Sequence, residues 1–337
     1  MLSILKNTKV VILISLFILL VLSGCKKEEP MKQPDTEKEV EKEVEETTVN
    51  RHPLTGVEFD GEVAGRAIAV TINNEVSARP QSGVMDADIV IEMLTEASIT
   101  RFLAIYQSTM PEKIGPVRSA REYFVNLAKG YNALFIAHGY SPEAKEMLMS
   151  GEIDHINGMQ YDGTLFKRAS FRKAPHNSYI TSEAIYSGAE QLNYSMEQPP
   201  TAVPIVEQVD VTGETVDAIS IAYDAAGSYN AEYRYNQDGY YTRFQAEEQT
   251  IDYETELEIQ LQNILIVEAE HQVMDNKGRR KIDFTSGGKG YLLQNGKMQE
   301  VEWKYEDGMI IPSKGGFVPG KTWINFVPNL DIVSVVE

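Results

Sequence analysis

Between residues 51 and 197 the chain alternates short, mainly apolar runs with stretches in which apolar side chains recur every three to four positions. The runs at 66–72 (RAIAVTI), 88–95 (DIVIEMLT), 100–107 (TRFLAIYQ) and 133–138 (ALFIAH) predict buried strands. Over 118–131, Phe124, Leu127, Ala128 and Tyr131 fall at helical spacing and predict an amphipathic helix. Ser141-Pro142-Glu143 supplies an N-cap with proline at the first helical position, opening a helix to about 150. Thr181-Ser182-Glu183 opens another, to about 193. Strands alternating with helices predict a mixed α/β domain over 51–197.

Gln198-Pro199-Pro200 interrupts this pattern. From 201 to 337 the helical period nearly vanishes. Runs at 219–223, 231–235, 240–245, 263–267, 281–284, 290–293, 298–305 and 323–327 predict strands. Asn236-Gln237-Asp238-Gly239 and Gln294-Asn295-Gly296-Lys297 carry the Asp-Gly and Asn-Gly chemistry of hairpin turns. The expected fold class is therefore α/β followed by a mostly antiparallel β domain, α+β for the whole.

The first 50 residues follow neither pattern. Lys6 and Lys9 precede an apolar run at 10–22, about 13 residues long, too short for the roughly 20 needed to cross a bilayer. It ends in Leu22-Ser23-Gly24-Cys25, which resembles the lipobox of bacterial lipoproteins, in which the cysteine is acylated and becomes the new N-terminus. Cys25 is the only cysteine, so the rest of the chain has no disulfide and no thiol nucleophile. Residues 1–25 are expected to be a lipoprotein signal peptide and 26–50 a tether: 26–46 hold nine acidic residues and five lysines and almost nothing to bury. Lipidated Cys25 would hold the protein on the outer, extracellular side of the cell membrane.

Formal charge is −19 and unevenly spread: 13 basic and 17 acidic residues over 51–190, net −4, against 11 and 24 over 191–337, net −13. Acidity and export together exclude nucleic acid as a partner. Within the nearly balanced first half, cations are gathered in two places. Arg118 and Arg121 follow Gly115-Pro116 where the helix is expected to begin, and Lys167, Arg168, Arg172 and Lys173 crowd a later loop. If the first pair lies in the first helical turn, the helix dipole disfavours it unless an anion compensates. That makes an anion seat, shared with Lys173 and His176, one reading; internal pairing with Glu92, Glu96 or Glu122 is the other.

Further chemistry sits nearby. Glu92 lies on an apolar strand facing Arg101 if the two strands pair, as a buried ion pair or as a carboxyl of raised pKa suited to general acid catalysis. His138 ends a strand just before a helix, and His176 and Asn177 lie in a proline-containing loop. No spacing resembles a metal-ligand motif, and neither Ser119 nor Ser178 occupies a nucleophile elbow, so no metal and no cofactor is expected. Tyr140, Tyr161 and Phe171, on Gly-rich or polar loops, are candidates for stacking on a ligand.

Several segments resemble the YerB-like lipoproteins of Gram-positive bacteria, which carry a paired domain of unknown function. They include 66–74 (RAIAVTINN), 78–108, 111–144 (with GPVRSAREYF), 166–181 (FKRASFRKAPHNSYIT), 288–297 (GKGYLLQNGK) and 319–326 (PGKTWINF). The resemblance covers nearly everything after the tether and brings no catalytic residues with it. An extracytoplasmic anchored protein meets peptidoglycan and its attached anionic polymers. The expected function is action on, or binding to, cell-wall glycan. Glu92 and His138 are the candidate catalytic groups of a lytic or hydrolytic enzyme. Arg101, Arg118, Ser119, Arg121, Arg168, Lys173, His176 and Asn177 are the candidate ligand-binding groups. The alternative is a non-catalytic scaffold lipoprotein of a wall or sporulation complex, whose partner is an envelope protein.

Overall fold

The computed structural model of the protein describes residues 50–62, 65–206 and 212–336; the leader, Cys25 and nearly all of the tether lie outside the described residues. The apolar runs of the first half become the strands Ile68–Asn73, Ile89–Leu94, Thr100–Tyr106 and Leu134–Ala137, every residue of them buried. Their alternation explains why no polar face is visible in the sequence. In Ile68–Asn73, Ala69 joins one core cluster while Ile68, Val70 and Ile72 join another on the opposite face.

These strands form one side of an eleven-stranded sheet, in the order His155–Asn157, Leu134–Ala137, Ile68–Asn73, Thr100–Tyr106, Ile89–Leu94. The second half continues the same sheet with Thr322–Val327, Asn263–Glu268, Gly288–Gln294, Lys297–Glu306 and Met309–Pro312. The two halves join through a parallel pair, Ile89–Leu94 against Thr322–Val327, with Ile91 opposite Ile324. Helices Glu122–Gly130 and Pro142–Met149 contribute Phe124, Leu127, Ala144 and Leu148 to the cluster on one face. On the other face lies an antiparallel sheet of the second half, including Ala218–Ile221, Ala231–Tyr235, Tyr241–Gln245 and Val333–Val336. Its Ile219, Ile221, Tyr233 and Tyr241 pack with Val70, Phe102 and Trp323. Burying each such large side chain contributes roughly 1.5–3 kcal/mol.

The fold class read from the pattern is the observed one, a mixed α/β first half and a largely antiparallel second half. The Asn-Gly turn takes positive φ at both Asn295 (49°) and Gly296 (71°) between two antiparallel strands, as the tightest hairpins require. One boundary is corrected. The helix expected from 118 begins at Glu122, and Arg121 is its N-cap with extended φ and ψ of −124° and 155°. Arg118 and Arg121 therefore do not share a helix face.

Candidate functional site

The stretch around Arg118 is extended because neighbouring strand ends take up its backbone. Asn73 N donates to Pro116 O at 2.9 Å and Arg118 N to Thr71 O at 2.8 Å; on the other side His138 N donates to Arg118 O at 2.9 Å and Ala120 N to Gly139 O at 3.0 Å. The segment thus lies across the C-terminal ends of two parallel strands, Ile68–Asn73 and Leu134–Ala137, the end at which open α/β sheets place ligands. Gly115 is required for this course: a Cβ there would lie 2.8 Å from Ser178 O and 2.7 Å from the Tyr179 ring.

Two arginines meet here over one carboxylate, with Arg118 nearby. Glu96 accepts from Arg121 Nη2, and from Arg101 Nη2 at 3.4 Å. Arg101 Nη1 also donates to Ser119 O at 2.6 Å and Arg121 Nη1 to Ala120 O at 2.8 Å, while the Nε of each is buried with no partner. Burial works to raise the Glu96 carboxyl, yet Arg101 and Arg121 hold it below its ordinary value. Burial, and then the charge of Arg121, pull the Arg101 guanidinium below its usual value. Arg118 is half-buried and has no hydrogen-bond or ion-pair partner among the described residues. Burial lowers its pKa too, with the Glu96 carboxylate working against it.

His138 and His176 flank this cluster. His138 Nε2 lies 3.0 Å from Arg168 Nη2 and its Nδ1 2.7 Å from Ser178 Oγ. A guanidinium can only donate, so Nε2 carries the lone pair and Nδ1–H donates to Ser178. Burial, and then Arg168, lower the His138 pKa and keep the ring neutral. In that tautomer His138 cannot accept the Ser178 proton, so the pair is not a nucleophile and base. Arg168 is itself held by Asp162, with Nη2 2.8 Å from Oδ2, and by Asn177 Oδ1 at 3.2 Å. His176 Nδ1 lies 2.8 Å from the Asn73 amide and 3.6 Å from Glu75, and burial lowers its pKa. Arg118 acts on both imidazoles, disfavouring their protonation.

Glu92 is placed elsewhere. Its side chain is fully buried, and Arg243 Nη2 reaches its two oxygens at 2.9 and 3.1 Å. Trp323 Nε1 donates at 3.0 Å and Thr100 Oγ1 at 2.8 Å. The Arg243 guanidinium lies 4.7 Å from the Trp323 ring centroid and 5.4 Å from that of Phe102. Of the two roles open to Glu92 this is the ion pair, and its partner is Arg243 of the second half rather than Arg101. Glu92 exposes no surface through which a glycan oxygen could be reached.

The remaining candidates sort by exposure. Ser119 Oγ donates to His138 O at 3.2 Å, and Asn177 Nδ2 to Ala169 O at 3.3 Å, so both brace loops. Lys173 is exposed and lines, with Ser77, Arg79 and His176, a cavity of about 380 Å³. Arg172 is a clamp: it donates to Ser77 O at 2.7 Å, Pro80 O at 2.5 Å and Tyr179 OH at 2.9 Å. Of the aromatics, Tyr140 and Tyr161 pack against the cores, whereas Phe171 is exposed and stacks on Tyr253, with centroids 4.8 Å apart and planes at 5°. Tyr253, Arg79 and Arg243 were not legible as site or core partners. Each meets residues 70 or more positions away, and no local pattern marks that.

The pattern described as "Protein of unknown function (DUF3048) N-terminal domain" matches residues 54–195, and that of the corresponding C-terminal domain matches residues 219–324. Putative lipoprotein YerB of Bacillus subtilis (strain 168) is 45% identical over 329 residues, 95% of each chain. The crystal structure of the YerB protein from Bacillus subtilis superimposes with a TM-score of 0.80 at 46% identity, covering 86% of this chain and 100% of that one.

Proposed function

The chain belongs to the DUF3048 family of paired N- and C-terminal domains, and on that footing we propose that it is a lipoprotein, anchored through Cys25 on the outer side of the cell membrane, that binds an anionic group of cell-wall glycan or its attached polymer at Arg118. One observation carries the reading: Arg101 and Arg121 share the single carboxylate of Glu96, and Arg118 beside them is half-buried with no hydrogen-bond or ion-pair partner among the described residues. A cation held partly out of water is unfavourable until an anion meets it, and a guanidinium meets phosphate or carboxylate with two parallel hydrogen bonds. Binding needs no carboxylic acid at hand, whereas cleavage would, and Glu92 is sealed in an ion pair.

The net −13 of residues 191–337 supports a second reading, an acidic surface that docks a basic envelope protein. Calorimetric titration of wall fragments bearing phosphodiester polymer into the full chain in detergent tests the first. Charge-assisted hydrogen bonds contribute about 1.5–3 kcal/mol, so R118A is expected to weaken binding roughly 10- to 100-fold. The affinity should also fall as salt is raised. Wild-type affinity retained by R118A would refute the anion seat and leave the scaffold reading.

A further inference from the structure

Two exposed aromatic rings stand face to face beside the anion seat. Phe171 is 52% exposed and Tyr253 38%, although they come from loops on opposite halves of the chain. Large exposed rings are unfavourable in water, and both keep exposed surface although the Arg172 guanidinium lies 5.5 Å from each centroid and the Tyr179 ring 5.9 Å from that of Phe171.

Both rings sit on loops fixed before any ligand arrives. Next to Phe171, the Arg172 guanidinium is spent on three backbone carbonyls and the Tyr179 hydroxyl. Tyr253 N donates to Gln81 O at 2.8 Å. The Asp252 carboxylate beside it accepts from Gly83 N, Glu254 N and Thr255 N, closing the turn. Such preorganisation costs nothing further on binding, which is what a recognition platform requires and a chance contact does not. The rings border the cavity of about 380 Å³, within the usual range for a small-ligand site. The rest of its lining is Ser77, Arg79, Pro80, Arg172, Lys173 and His176, polar except for Pro80. His176 lines the cavity and feels the charge of Arg118, so the two lie near one another.

We propose that the Phe171–Tyr253 stack is the ring-binding subsite of the glycan site. A pyranose lays its apolar C–H face on the exposed aromatic surface, its hydroxyls meet Lys173, His176 and Ser77, and its anionic substituent reaches toward Arg118. The inference rests on the anion reading above and narrows it to an acidic glycan, as opposed to a polyanion without rings. A polar rim around a small aromatic floor suits a sugar; a protein hot spot would be ringed by further apolar surface.

Two probes separate the subsites: an uncharged N-acetylglucosamine tetramer and poly(glycerol phosphate), each titrated into the full chain in detergent. The tetramer is expected to bind saturably, to lose at least tenfold in affinity in F171A and in Y253A, and to keep its affinity in F171Y and R118A. Poly(glycerol phosphate) should show the reverse dependence, losing affinity only in R118A. Melting temperatures of all four variants within a few degrees of wild type confirm that folding is not the cause. Failure of the tetramer to bind, or binding indifferent to both aromatic substitutions, overturns the ring subsite. If poly(glycerol phosphate) then still depends on Arg118, the anion reading stands without it. A tetramer that binds through the rings while the polyanion does not bind supports the subsite and removes the anion seat.

Discussion

Arg118 and Arg243 carry the same charge in opposite circumstances. Arg243 is fully buried, and its charge is met by Glu92. Removing one partner of such a pair strands the other, so R243A is expected to lose about 3–5 kcal/mol in urea unfolding. R118A, which breaks no hydrogen bond or ion pair among the described residues, should stay within roughly 1 kcal/mol of wild type. His271 adds a pH dependence. Its Nδ1–H donates to Ala269 O at 2.8 Å, its Nε2 is buried without a partner among the described residues, and burial pulls its pKa down from 6.5 to about 4. The unfolded chain therefore binds a proton that the folded chain refuses, and stability falls as pH drops from about 6.5 towards 4. At about 1.36 kcal/mol per unit, the loss approaches ~3 kcal/mol by pH 4. H271Q should flatten that part of the profile; an unchanged slope would assign it to other groups. At this scale the sequence showed which residues were charged and clustered. It did not show that Glu92 would find Arg243, because a partner 151 positions away leaves no local mark.

Elements were legible where period or turn chemistry is local. The apolar runs became strands and the Asn-Gly pair a tight hairpin, with boundaries shifted by a residue or two. The segment before Glu122 was misread because Arg118–Ala120 is held extended by Thr71 and Gly139, contacts from other strands that override helical spacing. Short strands such as Phe166–Arg168 and Ser178–Thr181 lacked a long enough run to register. Gly115 is the element-scale test of the site. A Cβ at its φ of 152° would press on Ser178 O and Tyr179, so G115A should lose about 1–3 kcal/mol and displace the Arg118 segment. Affinity for wall fragments should then fall although Arg118 is intact. Wild-type affinity in a destabilised G115A would mean that the course of this segment does not set the site.

At the scale of the molecule, Gln198-Pro199-Pro200 lies between the two family domains, which match residues 54–195 and 219–324. It does not separate two sheets. Strand Ile89–Leu94 pairs with Thr322–Val327, an association across more than 200 residues that no linear reading reveals. A protease that nicks near 198–201 should therefore leave the two pieces associated, and urea should unfold the chain in one transition. Residues 51–197 alone would present Ile89–Leu94 as an open apolar edge and should aggregate. Two separate transitions would instead make the halves independent.

The central claim, that Arg118 is a binding group rather than a structural one, is tested most directly by thermal melts of wild type and R118A with and without wall fragments. A ligand that binds only the folded chain raises stability by RT ln(1 + [L]/Kd), about 2.7 kcal/mol at 100 Kd. The account predicts that R118A melts like wild type when unliganded and loses most of the upward shift that fragments give to wild type. A steep loss of melting temperature in unliganded R118A, or a full ligand shift in that variant, would contradict it.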